Sequence, residues 1–380
     1  MSGAAFPDRA RVAAHEMVRG ATRYSADIPM PRLAHAMTVP SGIARGRVAA
    51  IEADAACAVP GVLAVLTHQD FTGLRTPGYL LGGGYGSHSH QPMLSDRVTY
   101  RGEPVALVIA EALEVAIQAA ALVRVRYEAE PFAATPDSPH AEATAPRGTV
   151  NSGDAEAALA TAAFRAEGTF HLPTAHHNPM ELISTTADWR DGSLTIHEGT
   201  QNSGAIKHGI AVALGLEPGR VRVSSAFTGG AFGQKNALQP QTLLVARASM
   251  MLDRPVKLVL PRAQIFCTAP LRPASRHTVR LGADANGRIV AATLQSQQQN
   301  NRADTLNANF ATVPARLYDI ANFSASERLI RCDTGSVGHM RSPSTMRWPL
   351  PSRARWTIWP TPPGVTRWPS AWPTTPPGTR

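Results

Sequence analysis

The stretch Val221-Arg-Val-Ser-Ser-Ala-Phe-Thr-Gly-Gly-Ala-Phe-Gly-Gln-Lys235, the Ala/Leu/Met-rich run that follows it to Leu252, and then Val256-Lys-Leu-Val-Leu260 decide how this chain folds. Val221, Val223 and Ser225 alternate with other residues as in a half-buried strand. Leu238 to Leu252 is long and apolar enough for a helix, and Val256 to Leu260 suits a second strand. Gly229 to Gly233 is therefore expected to link a strand end to a helix start. Without Cβ atoms such a turn brings backbone N–H groups close to an anion, and a helix N-terminus adds partial positive charge. The same turn with no ligand is an ordinary way of joining two elements.

Two phosphate-binding patterns are excluded here. A Walker loop needs Ser or Thr after its lysine, and Lys235 is followed by Asn236; a dinucleotide fingerprint needs a three-glycine spacing that is absent. Adjacent His176 and His177 would point to opposite faces of a strand, so no shared metal is expected. Glu181 is either an acid or base or, as a lone glutamate near a strand more often is, a hydrogen-bonded or solvated structural residue. The Gly82-Gly-Gly-Tyr-Gly86 loop with His88 and His90 has no carboxylate or cysteine at ligand spacing, and it suits an exposed loop better than a metal or phosphate site.

The 380 residues suffice for two or three domains with real cores. The net charge of +9 invites a nucleic-acid reading, but six of the 37 basic residues and none of the 28 acidic ones lie at or beyond Arg341. Met1 to Met340 therefore carries only +3, and a basic body is not indicated. Cys57, Cys267 and Cys332 match no zinc spacing and are expected as free thiols in a reduced, cytoplasmic setting. Arg9, Arg11 and His15 have no apolar run behind them, so neither a signal peptide nor a membrane span is expected.

Along the chain, Pro60 to Thr67 and Val105 to Ala110 suggest buried strands. A helix is expected to place Leu113, Ala116, Ile117 and Ala120 on one face, and Val123, Val125 and Tyr127 alternate as in a half-exposed strand. Together these make one compact α/β unit. Pro131 to Gly153 has no period and reads as a linker. Asp154 is a plausible N-cap for Ala155 to Ala163, and Ile206, Ile210 and Leu214 mark a helix face closed by Gly215 and Pro218. Asp284-Ala-Asn-Gly287 between Thr278–Gly282 and Arg288–Leu294 signals a hairpin. The mixed order from Asp154 to Asp333 argues for an α+β fold.

Gly229-Gly-Ala-Phe-Gly-Gln-Lys235, preceded by Thr200-Gln201 and His177-Asn-Pro-Met-Glu181, resembles the molybdenum-binding subunit of the xanthine dehydrogenase and aldehyde oxidase family. Phrases between Gly20 and Glu128, above all Gly102-Glu-Pro-Val-Ala106, are similar to that family's α/β hammerhead domain. The resemblance implies a hammerhead at 18–130, a linker at 131–153, a partial first molybdopterin-binding domain at 154–343 and an unstructured tail at 344–380. It implies hydroxylation of an aldehyde or aromatic heterocycle with oxygen from water, through a molybdopterin cofactor in its cytosine dinucleotide form. Iron–sulfur and FAD partner subunits would take the electrons, and neither nucleic acid nor membrane is an expected partner.

Carried over by motif, Gln201 would hydrogen-bond a ligand oxygen of the metal. Gly230, Ala231, Phe232 and Gly233 would offer N–H groups to the cofactor, and Arg341 would be a further contact. Some members place a substrate-binding glutamate where this chain has Asn236, which disfavours a purine and favours an aldehyde. The family's second molybdopterin-binding domain, with its general-base glutamate, has no counterpart here, so no residue is assigned a catalytic role and the chain is expected to be inactive alone. A periplasmic location would need a signal carried by a partner.

Five of the six tryptophans and ten of the 31 prolines follow Arg341, in phrases such as Arg355-Trp-Thr and Arg367-Trp-Pro that lack any period. One reading is a basic Trp/Arg-rich binding arm on a globular scaffold. Codons offer another. Tryptophan is TGG alone, so Arg355-Trp-Thr-Ile-Trp-Pro360 in a shifted frame becomes [Leu/Met/Val]-Asp-x-[Leu/Met/Val]-Ala, which resembles what the family carries after its Met-Arg-x-Pro motif, here Met340-Arg-Ser-Pro343. The tail from about 344 is expected to be a frameshift product without packed structure.

Overall fold

The computed structural model describes residues 11–78, 80–81, 84–85, 90–303 and 318–341. The strands in chain order are β1 Ala34–Pro40, β2 Gly46–Glu52, β3 Val62–Thr67, β4 Leu80–Leu81, β5 Gly84–Tyr85, β6 Arg97–Val98, β7 Pro104–Ala110, β8 Arg124–Ala129, β9 Glu142–Ala143, β10 Arg147–Ser152, β11 Phe164–Leu172, β12 Ser184–Arg190, β13 Ser193–Glu198, β14 Val221–Ser224, β15 Val256–Val259, β16 Ser275–Ala283, β17 Ile289–Asn301 and β18 Asn322–Cys332. The helices are α1 Ala14–Val18, α2 Asp54–Cys57, α3 Leu113–Leu122, α4 Ala155–Thr161, α5 Ser203–Leu214, α6 Pro240–Leu252 and α7 Arg262–Thr268.

A seven-stranded sheet in the order β14-β13-β12-β15-β1-β7-β3 forms the centre. Four of its strands come from beyond residue 154 and three from before 130, joined where β1 pairs parallel with β15 through Ala34↔Val256 and Ala36↔Leu258. One apolar core consequently takes Ala36, Leu107 and Ile109 from the first part and Ile196, Ile206, Ile210, Leu243 and Leu244 from the second. A second sheet, β10-β18-β17-β16-β11, buries Val279, Leu281, Leu294, Phe323 and Ala325, and α4 packs against it.

Several expectations change on contact with the fold. Strand β7 is buried throughout, whereas β3 is an edge strand only partly covered. Helix α3 buries Ala116 and Ala119, and Ile117 points outward, because the sheet lies on the Ala116/Ala119 side. Strand β8 leaves β7's sheet and pairs with β2 instead, so the first α/β unit spans two sheets. The stretch 131–153 contains β9 and β10, both paired with β18, and both strands are largely exposed, which accounts for the lack of an apolar period.

Other local signals appear as expected. The Asp154 carboxylate caps α4 by accepting the Ala157 N–H at 3.0 Å, Gly215 closes α5 with φ +66°, and β16 turns into β17 through Asp284 to Gly287. Cys57, Cys267 and Cys332 are free thiols. No helix among the described residues is long and apolar enough to cross a membrane. The Gly82–Gly86 loop with His88 falls largely, and the tail wholly, outside the described residues. His90 is described, and its Nε2 lies 2.6 Å from the buried Glu103 carboxylate, a neighbour that sequence spacing did not indicate.

Candidate functional site

Strands β13 and β14 pair in parallel through Leu194↔Val221 to His197↔Ser224, so their C-terminal ends lie side by side. Strand β12 runs antiparallel to β13, which brings Glu181, just before β12, to the same end of the sheet. Three quoted motifs thus meet at one sheet edge: His177 to Glu181, Thr200-Gln201, and Gly229 to Lys235. Such an edge, outside the carboxyl ends of parallel strands, is where open sheets place ligands.

The loop after β14 does not run directly into a helix. A single 3-10 turn, Gln234–Asn236, comes first, and α6 begins only at Pro240. Proline suits that first position because its missing N–H would have no helical partner, which is why the helix starts two residues later than expected. The dipole of α6 is therefore not applied to the glycines, and their chemistry comes from the backbone itself. Gly230 has φ +98° and Phe232 φ +55°, with Ala231 between them at negative φ. Alternation of this kind is the backbone setting in which successive N–H groups form anion-binding nests. The N–H groups of Gly230, Ala231 and Phe232 have no acceptor among the described residues.

Gln201 stands beside this nest. Its side-chain oxygen accepts the Gly233 N–H at 2.9 Å, and its own N–H donates to the Lys235 carbonyl at 2.8 Å. Gly233 is thereby removed from the set of outward N–H groups, while the Gln201 NH2 remains exposed with no acceptor among the described residues. Arg341 arrives from the other side. Its N–H donates to the Phe232 carbonyl at 2.7 Å, Arg272 donates to its carbonyl, and its side chain is exposed. The approach is close enough that a Cβ on Gly233 would lie 2.7 Å from the His339 carbonyl oxygen. Asn236 is half-buried at the end of the 3-10 turn, its N–H donating to the Gly233 carbonyl at 3.2 Å.

The structure places Gln201, Gly230, Ala231, Phe232, Gly233, Asn236 and Arg341 in one locality. Together they offer three backbone donors, a side-chain amide donor and a guanidinium, a set suited to an oxyanion-rich ligand. Motif reading missed the residues behind the loop. Lys235 turns inward to Glu181 at 2.5 Å, and both side chains are almost fully buried. Thr200 N–H donates to Ser225 Oγ at 3.0 Å, and Asn202 caps α5 through the Ala205 N–H. The Asn202-Ser203 pair ahead of Ile206 was a legible cap signal.

Two titratable groups flank the loop. Burial holds the His177 imidazole down to about 4, against the opposing pull of the His339 carbonyl, which its Nε2 contacts at 2.5 Å. Burial pushes the Glu198 carboxyl up to about 7, although hydroxyls of Thr185 and Thr242 donate to it and Lys235 lies near.

Residues 136–347 match the model of a molybdopterin cofactor-binding domain, and residues 19–131 match the a/b hammerhead domain of aldehyde oxidase and xanthine dehydrogenase. The chain belongs to the aldehyde oxidase and xanthine dehydrogenase family. It is 33% identical over 320 residues to the aldehyde oxidoreductase molybdenum-binding subunit PaoC of Escherichia coli K12, covering 82% of this chain and 42% of that one. It is 27% identical over 349 residues to a xanthine dehydrogenase molybdenum-binding subunit of Escherichia coli O157:H7, covering 87% and 46%. The fold is similar to that of the aldehyde oxidoreductase of Desulfovibrio desulfuricans, with a TM-score of 0.80, 22% identity and coverage of 92% and 41%. The chain spans less than half the length of these curated relatives. A hammerhead domain followed by a molybdopterin-binding domain accounts for its two-part sequence and its shared central sheet.

Proposed function

We propose that this chain supplies one wall of a molybdenum-cofactor site of a hydroxylase acting on aldehydes or aromatic heterocycles. The N–H groups of Gly230, Ala231 and Phe232, which have no acceptor among the described residues, together with the neighbouring Gln201 NH2 and Arg341, carry this reading. When bound, the cofactor supplies the two-electron redox chemistry for inserting oxygen from water. The residues here would hold it: the nest and Arg341 toward its anionic groups, and Gln201 as a donor to an oxygen at the metal. Asn236, an uncharged residue, would line the substrate side and favour an aldehyde over a purine. The cytosine dinucleotide form, iron–sulfur and FAD partner subunits and a cytoplasmic location belong to the same reading.

A one-sided site leaves a charged ligand with part of its donor set. Each lost charge-assisted bond forfeits about 1.5–3 kcal/mol, so removing the donors of Gln201 or Arg341 is expected to lower cofactor retention. The test is co-expression with the cofactor pathway and the partner subunits, with and without the C-terminal half of PaoC supplied in trans. Molybdenum content should rise only when that half is present. Near-stoichiometric metal bound without that half would overturn the one-wall reading. Absence of metal in both cases would overturn the cofactor reading.

A further inference from the structure

We infer that the buried Glu181–Lys235 pair is a positioning device that holds the Gly229–Gly233 loop in shape, and that Lys235 is not a ligand of any anion bound there. Glu181 Oε2 accepts both the Lys235 ammonium at 2.5 Å and the Gly229 N–H at 2.7 Å. The Glu181 N–H donates back to the Gly229 carbonyl at 3.1 Å. Glu181 Oε1 accepts the Ser25 hydroxyl at 3.1 Å, and Ser25 Oγ lies 2.5 Å from Ser184 Oγ. Residue 181 thus grips Gly229 through main chain and side chain, one residue ahead of the nest.

Two glycines make room for this arrangement. A Cβ on Gly199 would lie 3.0 Å from Glu181 Oε2 and 3.2 Å from Lys235 Nζ, and a Cβ on Gly229 would lie 2.7 Å from the Glu181 Cβ. The pair is anchored further by the N-terminal part of the chain. Lys257 on β15 donates to the carbonyls of Ala26 and Ile28 at 2.7 and 2.8 Å, which pins the turn carrying Ser25. Since the Lys235 charge is already matched, the attraction of the loop for anions comes from its N–H groups and Arg341. Lys235 contributes through its ion pair with Glu181 Oε2, the same oxygen that accepts the Gly229 N–H, and charge-assisted bonds to backbone N–H groups are about twice as strong as neutral ones.

The inference rests on the cofactor reading only for what the loop binds; the role of the pair in ordering the loop is separate. The full chain is compared with Lys235→Met, Glu181→Gln and the double variant Glu181→Gln/Lys235→Met, in which no unmatched charge is buried. Hydrogen exchange is followed on the peptide spanning Gly229 to Lys235 without cofactor, and molybdenum content is measured after loading with the PaoC half present. The double variant should keep the native melting profile yet exchange at Gly229 about tenfold faster or more, since its neutral amide is the weaker acceptor. Lys235→Met, which leaves the Glu181 carboxylate buried without its cation, should melt lower than the double variant and exchange faster at Gly229 than the native chain. Native exchange and native metal content in the double variant would overturn the proposal. Altered exchange with no metal even in the native chain would uphold the positioning role and remove the cofactor reading.

Discussion

Gln201 bonds to both ends of the Gly233–Lys235 turn: its side-chain oxygen accepts from Gly233 at 2.9 Å and its backbone N–H donates to Lys235 at 2.8 Å. The amide oxygen is therefore used inside the protein, and the NH2 is what remains for a ligand.

This division separates two substitutions at one position. Gln201→Glu keeps an acceptor for Gly233 but replaces the NH2 with negative charge. It is expected to leave unfolding in denaturant unchanged within about 0.5 kcal/mol while abolishing cofactor retention. Gln201→Ala removes the acceptor as well and is expected to lower stability by about 0.5–1.5 kcal/mol. Denaturant titration beside metal analysis of loaded protein checks both.

Gly233→Ala should be costly for two independent reasons. The backbone there has φ +100°, and the new Cβ would meet the His339 carbonyl oxygen at 2.7 Å and the Met340 Cα at 2.9 Å, both main-chain atoms that cannot rotate away. A loss of about 2–4 kcal/mol is expected from strain plus displacement of the 339–341 segment. A melting temperature within a degree of native would contradict this packing.

His177 and Glu198 give opposite pH slopes. For His177 the folded value of about 4 lies below the ordinary 6.5, so the unfolded chain binds the proton more readily and stability falls as pH drops from 6.5 to 4, by about 3 kcal/mol in full. For Glu198 the folded value of about 7 lies above the ordinary 4.5, so the folded state holds its proton longer and stability falls as pH rises from 4.5 to 7, by a similar amount. The two slopes largely cancel between pH 4.5 and 6.5. Glu198→Gln, which still offers an oxygen to Thr185 and Thr242, should expose the His177 slope in that window and stabilise the protein at pH 8. Unfolding free energies at pH 5, 6.5 and 8 for both proteins decide it.

Arg302 joins the strand β17 end to Asp333 at 2.8 Å, and Asp333 also accepts the Ala133 N–H at 2.7 Å. Its side chain is 1% exposed, and the next cation, Arg45, is 4.0 Å away. Arg302→Ala leaves this carboxylate buried with a distant partner and should cost about 3 kcal/mol. Arg302→Ala/Asp333→Asn should recover part of it, and a double-mutant cycle in denaturant measures the coupling.

Local rules carried the sequence reading a long way. The Asp154 cap, the Gly215 stop, the Asp284–Gly287 hairpin and the buried run of β7 each depend on a few neighbouring residues, and each stands in the fold where the sequence put it. The motif set around Gln201 and Phe232 was legible as well, because its order and its residue types are properties of the chain. What only the tertiary structure decided were pairings between distant segments: β1 beside β15, His90 beside Glu103, and Lys235 turned inward to a glutamate 54 positions earlier. Periodicity reports which face of one element is apolar, but it says nothing about which element covers that face. The start of α6 at Pro240 and the division of β7 and β8 between two sheets followed from the same limit. Packing and ion pairing are settled by contacts that form only once the central sheet has drawn those segments together.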